Sequence, residues 1–409
     1  MSQYSSSVSA WQQDVSLKYK PRIRLYSDFC LFWQARCNVC HLVAMLEKRR
    51  YGTGLLTSPL LAALITAAVC LFLWHLTSCP GPQNTQLLVP SYLLLLPGNA
   101  TSLPPPYPMH KLAPSDRTTL IDVQDFIFQL NNFPCNGSSP PLLLVLVHSA
   151  PGNVENRRTI RETWGRGSHR VLFLLGAVES RAAQAALEEE NRTYRDLVQG
   201  RFLDSYRNMT YKHVMGLKWT AYYCPGARYL LKTDDDVFVN SPALLDFLAQ
   251  DLSPWGARRL ILCEPFTSSY VKRSFRSKWR VSPLEYPGSV YPAYCAGWVV
   301  LYSPDVVFLL YREAQRTEYF WIDDVHVTGT LAARVNLTQT PLGSLKLSPE
   351  QVRYLVGSRD NGSEVGVFLF GSPNLSLTEI HRLWQVVQDR RPASWQAAFQ
   401  VQTPQVPSL

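Results

Sequence analysis

Residues 229–240 read YLLKTDDDVFVN. Three consecutive aspartates, Asp234, Asp235 and Asp236, follow one short apolar run and precede another, and both runs have the composition of β-strands. Burying carboxylates between such runs costs free energy unless a cation or hydrogen-bond donors compensate for it. In an open α/β sheet, ligands bind beyond the carboxyl ends of the strands, and these aspartates lie at such an end. The stretch therefore predicts a strand of an α/β sheet and a candidate binding site.

Short apolar strands alternate with amphipathic helices on both sides of this stretch. Strands are predicted at 142–148, 171–178, 227–233 and 258–266, and helices at 153–165, 181–197, 209–224 and 241–252. In the last helix, Ser241 is predicted as the N-cap and Pro242 as the first helical residue. This alternation predicts an α/β fold with a largely parallel sheet, in a catalytic-type domain at 140–395 followed by a tail at 396–409.

The N-terminal part of the chain predicts a membrane anchor. Residues 55–76 contain no Asp, Glu, Lys or Arg and could span a hydrocarbon core of roughly 30 Å as a helix. The cluster Lys48-Arg49-Arg50 precedes this run, and the next charged residue is Lys111, so the positive-inside rule predicts type II topology. A cleaved signal peptide fits poorly, because the apolar run is too long and some fifty residues precede it.

The predicted organisation is a cytosolic tail at 1–50, a transmembrane signal-anchor at 51–76 and a lumenal stem at 77–139. The tail supplies five of the nine excess positive charges, through eight Lys or Arg against three acidic residues. Because the charge excess belongs mainly to a membrane-flanking segment, it does not predict nucleic-acid binding. The stem is rich in Pro, Ser, Thr and Leu and is predicted to be a partly extended spacer.

Glycosylation sequons and cysteines agree with a lumenal domain. Seven sequons follow the anchor and none precedes it. Six of them are predicted glycosylation sites: Asn99, Asn136, Asn191, Asn336, Asn361 and Asn374. Five cysteines follow the anchor, which allows one or two disulfides and leaves an odd thiol, with a connectivity that the sequence leaves open: Cys79, Cys135, Cys224, Cys263 and Cys295.

The aspartates of the opening stretch have two interpretations. Two carboxylates at i and i+2 on a tight turn can share one hard cation, and Mg²⁺ or Mn²⁺ bound in this way keeps positions open for substrate phosphates. Without a cation the three carboxylates would repel each other and raise one another's pKa values. The alternative is a solvated acidic loop.

A second acidic pair and a pair of arginines extend the candidate site. Asp323 and Asp324 follow an aromatic and aliphatic run, where desolvation raises a carboxyl pKa towards the range of a general base. Their alternative role is a helix N-cap. Arg158 and Arg161 lie on one face of the helix after the first strand and could bind an anion, or could form salt bridges with nearby glutamates such as Glu155.

Five blocks, in this order, resemble the β-1,3-glycosyltransferase family of β-1,3-galactosyltransferases and β-1,3-N-acetylglucosaminyltransferases, a GT31-type group of hexosyltransferases. They are RRTIRETWG (157–165), DSYRNMTYKHVMGLKW (204–219), KTDDDVFVN (232–240), SKWRVSPLEYPGSVYPAYCAGWVVLYSP (277–304) and WIDDVHVTG (321–329). The resemblance covers residues 140–335. It implies a GT-A-type, Rossmann-like nucleotide-sugar-binding domain in a type II Golgi membrane enzyme.

The resemblance also implies the roles of individual residues. Asp234 and Asp236 take the D-x-D positions that bind Mn²⁺ or Mg²⁺, with Asp236 as the direct ligand, and Asp324 takes the position of the catalytic base. The implied UDP-sugar-binding residues are Arg158, Arg161, Lys232, Asp234 and Asp235. The implied sugar and acceptor pocket contains Tyr294, Gly297, Trp298 and Asp323.

The predicted activity is inverting transfer of a hexose from a UDP-sugar to the 3-hydroxyl of an acceptor sugar in β-1,3 linkage. The expected donors are UDP-galactose, first, and UDP-N-acetylglucosamine, and the expected acceptor is a glycan on a glycoprotein or glycolipid. Two alternatives remain, namely a catalytically inactive sugar-nucleotide-binding or chaperone-like relative and a metal-dependent hydrolase.

Two features bear on the match to the family's pattern. The family's motif has the spacing E-D-V-x-x-G, whereas Asp324 is separated from Gly329 by one additional residue, so the loop beyond the base, and acceptor choice with it, is expected to differ. Asn208 is a sequon inside a family block and is interpreted as a structural asparagine.

Overall fold

The computed structural model describes residues 107–135, 139–357 and 365–390. All of them belong to one compact unit, and none of their helices is long and apolar enough to cross a membrane. The predicted tail, the signal-anchor, the C-terminal tail at 396–409 and the first thirty residues of the stem lie outside the described residues, as do Asn99, Asn136 and Asn361.

The described elements follow the predicted alternation. The strands are β1 Phe128–Leu130, β2 Leu143–His148, β3 Arg170–Ala177, β4 Leu197–Leu203, β5 Tyr229–Asp234, β6 Ile261–Phe266, β7 Ser269–Tyr270, β8 Val290–Tyr291, β9 Tyr294–Tyr302 and β10 Thr340–Pro341. The α-helices are α1 Val154–Glu162, α2 Arg181–Tyr194, α3 Met209–Tyr223, α4 Ser241–Asp246, α5 Pro304–Ala314, α6 Ala332–Arg334, α7 Pro349–Gly357 and α8 Leu377–Asp389. Two π-helical segments, Phe247–Leu252 and Asp324–Leu331, and four short 3₁₀ helices, Met109–Lys111, Pro114–Thr118, Tyr206–Asn208 and Gly343–Leu345, complete the set.

The main sheet is mixed, with the strand order β1-β4-β3-β2-β5-β9-β6-β10. Its centre, β4-β3-β2-β5, is parallel as predicted, whereas β9 runs antiparallel to both β5 and β6. In this register His148 of β2 lies opposite Asp234 of β5. The antiparallel β9 therefore enters next to the strand that carries the aspartates.

Apolar side chains cover both faces of the sheet. Every residue of β2 is buried, as expected of a parallel strand that is packed on both sides. Leu143 and Val145 contribute to one core cluster, which α1, α2 and α8 help to complete. Leu144 and Leu146 contribute to the other cluster, which α3 and α5 help to complete. Alternate residues of β2 are thus buried in the two different core clusters. The candidate site lies at the ends of the strands, between these two clusters.

The end of the predicted stem is packed against the domain. Residues 107–135 include β1, which pairs with β4, and the fully buried Leu120 and nearly fully buried Phe126. Asp116 is also buried, where the hydroxyls of Tyr222 and Tyr311 donate to its carboxylate. The folded unit therefore begins before residue 140, because residues of the predicted stem are buried in the core of the domain. The composition of the stem did not indicate this packing.

Two local findings refine the sequence predictions. The N-cap of α4 is Asn240 rather than Ser241, and its side chain accepts from the backbone N–H of Ala243. The described residues contain two disulfides, Cys135–Cys224 and Cys263–Cys295. The second joins β6 to β9, beside the predicted sugar and acceptor pocket.

Candidate active site

Asp235 is anchored among the residues that follow β2. Ser149 Oγ donates to its Oδ2 at 2.6 Å and Asn153 Nδ2 donates to the same oxygen at 2.9 Å. Arg157 donates in turn to Ser149 Oγ at 3.0 Å and to the carbonyl of Ala150 at 2.7 Å. These bonds fix the aspartate turn against the loop after β2. The role of Asp235 in UDP-sugar binding stays a prediction.

Asp234 is connected to β9 through a buried lysine. Lys232 Nζ donates to Asp234 Oδ1 at 2.7 Å and also to the carbonyl oxygen of Gly297. Burial lowers the pKa of Lys232, but the carboxylates of Asp234 and Asp323 outweigh it and hold that pKa above its ordinary value. Lys232 is therefore a fixed cation between the aspartate turn and β9.

Asp236 is the carboxyl group of the turn that most needs a cation. Burial, followed by the charges of Asp234 and Asp235, raises its pKa to about 8. Within the described residues, no group of three or more His, Cys, Asp or Glu side chains is arranged to hold a metal ion. Two carboxylates at i and i+2, with substrate phosphates as further ligands, nevertheless match the oxygen donors that Mg²⁺ and Mn²⁺ prefer. Asp234 and Asp236 thus fit the predicted cation.

Asp323 forms a buried pair with a histidine of α3. Its Oδ2 lies 3.0 Å from His213 Nδ1, and His213 Nε2 lies 3.1 Å from the hydroxyl of Tyr302 on β9. Burial opposes ionisation of Asp323, but the bond from His213 and the charge of Lys232 keep its pKa below the ordinary value. Because a carboxylate only accepts, Nδ1 donates to it and Nε2 accepts from Tyr302.

Asp324 has the opposite character from its neighbour. Burial and the charge of Asp323 raise its pKa to about 8. Its Oδ1 accepts from the backbone N–H of Val325 at 2.8 Å. The N-cap position of the following π-helical segment is Asp323, whose side chain makes no capping bond, and the bond of Asp324 reaches only the next residue. The structure therefore does not support the N-cap interpretation of either acid. Adjacent acids with pKa values pushed apart are typical of acid–base sites.

The helix after Asp324 takes up the additional residue. Asp324–Leu331 is π-helical, and a π-turn holds one more residue than an α-turn. Thr328 Oγ1 donates to the carbonyl of Asp324 at 2.6 Å and accepts from the N–H of Cys295 at 2.8 Å. A Cβ on Gly329 would lie 3.0 Å from Tyr294 Cβ, so the segment packs closely on the start of β9. The predicted change after the base is a wider helix rather than a loop.

The predicted pocket residues of β9 lie around Asp324. A Cβ on Gly297 would lie 3.6 Å from Asp324 Oδ2. Tyr294 is buried, and burial together with the charge of Asp324 raises its pKa. Trp298 is buried as well, and its Nε1–H donates to Glu264 at 3.2 Å. Gly297 and Tyr294 therefore face the candidate base, while Trp298 supports the strand from β6.

The arginines of α1 are engaged by carboxylates. Arg161 pairs with Glu190 and Asp196, each at 2.7 Å, and its guanidinium lies 4.0 Å from the ring centre of Tyr194. Arg158 is exposed and pairs with Glu155 at 3.2 Å. Both pairs match the salt-bridge alternative, and a role of either arginine in nucleotide binding stays a prediction.

The described sequons occupy different environments. Asn208 Nδ2 donates to the carbonyl of Leu203 at 2.8 Å, as expected of a structural asparagine. Asn191 Oδ1 accepts from Asn132 Nδ2 at 2.7 Å, and Asn374 Oδ1 is buried. Asn336 is exposed on a turn with φ 53°. Glycosylation of Asn191, Asn336 and Asn374 stays a prediction.

Three site residues were not singled out from the sequence. His213 lies inside the block at 204–219, in a helix that also buries Lys212 and Lys218, so its type alone did not single it out. Arg157 is fully buried and forms a bidentate pair with Glu190. Tyr206 accepts from Trp279 Nε1 at 2.7 Å, and its pKa is raised by burial and by the charge of Asp324.

Comparison with known proteins identifies the family. Residues 155–342 match the family model described as Galactosyltransferase. A β-1,3-galactosyltransferase 5 from Gorilla gorilla gorilla is 32% identical over 245 residues, which cover 58% of this chain and 80% of that protein. The chain belongs to the β-1,3-glycosyltransferase family. It is also 35% identical over 213 residues to the human UDP-GalNAc:beta-1,3-N-acetylgalactosaminyltransferase 1, but spans only 63% of that relative's length.

Solved structures give a weaker likeness. A galactosyltransferase LgtC in complex with donor and acceptor sugar analogs overlaps with 63% of this chain and 99% of its own, at a TM-score of 0.31 and 11% identity. A glycosyltransferase involved in glycosylating the major capsid of PBCV-1 gives a TM-score of 0.31 and 13% identity. At such scores the overlap does not establish a common fold. The mixed α/β sheet is established by the strand pairing itself.

Proposed function

We propose that this chain is an inverting, UDP-sugar-dependent β-1,3-hexosyltransferase. One observation carries the proposal, namely the convergence of two acidic groups on Gly297 of β9. Lys232 connects Asp234 to the Gly297 carbonyl, and Asp324 Oδ2 lies within 3.6 Å of the position of a Cβ on the same glycine. A leaving-group site and a base site around one backbone position are what a single displacement at a sugar carbon requires.

Asp324 is the proposed general base. In its ionised form it accepts the proton of the acceptor's 3-hydroxyl while that oxygen forms a bond to the donor's anomeric carbon. The bond from that carbon to the diphosphate breaks, and UDP leaves with the electron pair. Attack from the face opposite the leaving group inverts the configuration, as in inverting glycosidases, with a sugar hydroxyl in place of water.

Asp234 and Asp236 are the proposed ligands of a divalent cation. When bound, Mn²⁺ or Mg²⁺ would neutralise developing charge on the diphosphate as a Lewis acid. Lys232 holds Asp234 in place from inside the protein, and Ser149 and Asn153 hold the turn through Asp235. The chain's own side chains thus orient the acidic turn.

The proposed donor is UDP-galactose, with UDP-N-acetylglucosamine as the second choice, and the proposed acceptor is a glycan of a glycoprotein or glycolipid. The names of the relatives also bring UDP-N-acetylgalactosamine into consideration. A Golgi lumenal location is part of the proposal. Two disulfides support it, because disulfides persist mainly in oxidising compartments.

The test is UDP release by the purified full chain. The three UDP-sugars are each offered with GlcNAc-, Gal- and GalNAc-terminated acceptors, with and without Mn²⁺. We expect release that needs one donor and acceptor pair together with Mn²⁺. Asp324→Asn should lower kcat by a factor of about 10²–10⁴, the usual contribution of a general base. The exposed Asp389→Asn serves as the matched control.

The outcomes separate the alternatives. UDP binding without turnover in any arm would favour the inactive sugar-nucleotide-binding relative. Release of free sugar regardless of acceptor would favour the hydrolase. Absence of both UDP binding and Mn²⁺ dependence would refute the proposal.

A further inference from the structure

A strongly basic segment lies beside the candidate active site. Residues 269–290, SYVKRSFRSKWRVSPLEYPGSV, are named here the basic loop. Five Lys or Arg residues lie between positions 272 and 280, and Glu285 is the only acidic residue of the loop. Arg207, from outside the loop, pairs with Glu285. The positive charge of the loop is therefore not neutralised from within it.

The loop is held in shape by bonds that leave some of its cations exposed. Arg273 donates to the carbonyls of Val281, Tyr286 and Gly288 at 2.6–2.9 Å, which closes the base of the loop. β7 and β8 pair at the two ends. Arg273 thus stabilises the loop, whereas the exposed cations at the tip can bind a ligand.

Contacts connect the loop to residues that lie near the proposed base. Trp279 Nε1 donates to the hydroxyl of Tyr206 at 2.7 Å, and the charge of Asp324 contributes to the raised pKa of Tyr206. Tyr286 packs against Phe320, with ring centres 5.6 Å apart, just before the acidic pair. The loop therefore borders the side of the site where an acceptor would meet Asp324.

The tip of the loop presents cations together with an aromatic ring. Arg276 and Lys278 are exposed, and neither pairs with a carboxylate in the part of the chain that the structure describes. Phe275 is 87% exposed, and the guanidinium of Arg280 lies 3.8 Å from its ring centre. Cations beside an exposed aromatic ring suit an anionic sugar.

We propose that the tip of the basic loop binds an anionic group, a sulfate or a carboxylate, on the acceptor glycan. The inference rests on the proposed function, because it places the acceptor next to Asp324. Arg276 and Lys278 supply the charge, and Phe275 with Arg280 supplies the surface against which the charged sugar lies. The loop thereby gives the enzyme a preference for acidic acceptors.

The experiment uses the full chain and matched acceptors. GlcNAc-, Gal- and GalNAc-terminated disaccharides are compared in a neutral form, in a form sulfated at the 6-hydroxyl of the terminal sugar, and in a form linked to glucuronic acid. We expect the sulfated or the carboxylated form to bind about three- to tenfold more tightly in calorimetric titration, which is the size of two exposed ion pairs. The two anionic arms identify which group is preferred.

The variants assign the preference to the loop. The double variant Arg276→Gln/Lys278→Gln should reduce the ratio of anionic to neutral affinity to about one. The control Arg181→Gln/Arg201→Gln, which removes two exposed arginines elsewhere, should leave that ratio unchanged. In the unaltered protein, raising NaCl to about 0.5 M should weaken the preference, because salt screens exposed charges. This last measurement requires no substitution and therefore does not depend on variant folding.

The contrary results are specific. Equal binding of neutral and anionic disaccharides, or a preference that survives Arg276→Gln/Lys278→Gln, overturns the proposal. A dependence of activity on phosphatidylserine in nanodiscs, through the same two residues and without a glycan preference, assigns the loop to the membrane instead. Because calorimetry needs no turnover, a failure of UDP release in every arm refutes the proposed function without being confused with a failure of this proposal.

Discussion

Asp323→Asn provides a sharp test of the acidic pair. The substitution removes a negative charge next to Asp324 but keeps an oxygen that can accept from His213 Nδ1, which lies 3.0 Å from Asp323 Oδ2. Because the base must be ionised, kcat/KM of the unaltered enzyme is expected to rise with pH, with a midpoint near the Asp324 pKa of about 8. Asparagine at position 323 should shift this midpoint to lower pH.

The size of the shift follows from Coulomb's law. Two carboxylates on the order of 7 Å apart, at an effective dielectric constant of about 20, repel each other by roughly 2 kcal/mol. Since 1.36 kcal/mol corresponds to one pH unit, the midpoint should fall by about 1–2 units. Burial of Asp324 remains and keeps its pKa above the ordinary carboxyl value. Lys232 also remains, and its charge continues to favour the ionised form.

The assay is the pH dependence of kcat/KM for UDP release between pH 5.5 and 9 in both proteins. The variant is expected to be faster than the unaltered enzyme at about pH 6, where more of its base is ionised. It should be slower at the plateau, because a weaker base accepts the proton less readily. Asp389→Asn is the control, and circular dichroism verifies folding. A midpoint that stays in place or moves to higher pH would refute the assignment of Asp323 and Asp324 as a coupled pair.

Three further predictions concern stability. Arg157→Met removes the bidentate bonds to Glu190, which keeps Arg161 as a partner, and also the bonds to Ser149 Oγ and to the Ala150 carbonyl. It should lower the free energy of unfolding by about 1–3 kcal/mol in urea denaturation, and an unchanged midpoint would contradict this. Replacing both Cys263 and Cys295 by Ala opens a loop with a sequence separation of 32 and should cost about 3–4 kcal/mol, measured by thermal unfolding. Asp324→Asn should stabilise the protein more at pH 8 than at pH 5, because a carboxyl group whose folded pKa is raised contributes stability that is lost as pH rises from about 4 towards about 8. The stability difference between the variant and the unaltered protein should grow by no more than about 1.4 kcal/mol per pH unit. The prediction would be contradicted if the two proteins differed in thermal midpoint by the same amount at pH 5 and at pH 8.

The sequence predicted the strands β2, β3, β5 and β6 and the helices α1 to α4, because their periodicity is local, but it did not predict β4 or β9 as strands. The strands at 142–148 and 171–178 correspond to β2 and β3, and the acidic stretch lies at the end of β5. The antiparallel direction of β9 was not predictable in this way, since a buried apolar strand has the same composition in either direction. The packing of residues 107–135 was missed because they were assigned to the stem together with the Pro-rich stretch that precedes them.

The sequence could not assign the partners of several site residues, because these partners lie far away along the chain. Arg161 looked like a candidate for anion binding, and its carboxylate partners lie 29 and 35 positions away. His213 is 110 positions from Asp323, so its pairing left no local pattern. The acidic groups were singled out from the sequence because carboxylates in apolar surroundings are locally conspicuous, and their roles stay predictions.

The helix after Asp324 illustrates how one additional residue is accommodated without moving the base. The segment packs on β9 at both ends. At its start, a Cβ on Gly297 would lie 3.4 Å from Asp324 Cβ, and near its other end Thr328 accepts from the N–H of Cys295 while Gly329 packs closely on Tyr294. With its ends fixed, an extra residue can either protrude as a loop or widen the helix. Widening keeps the backbone hydrogen-bonded, and the bond from Thr328 to the Asp324 carbonyl spans the wide turn. The spacing of the motif can therefore vary because β9, and not the helix alone, determines where Asp324 lies.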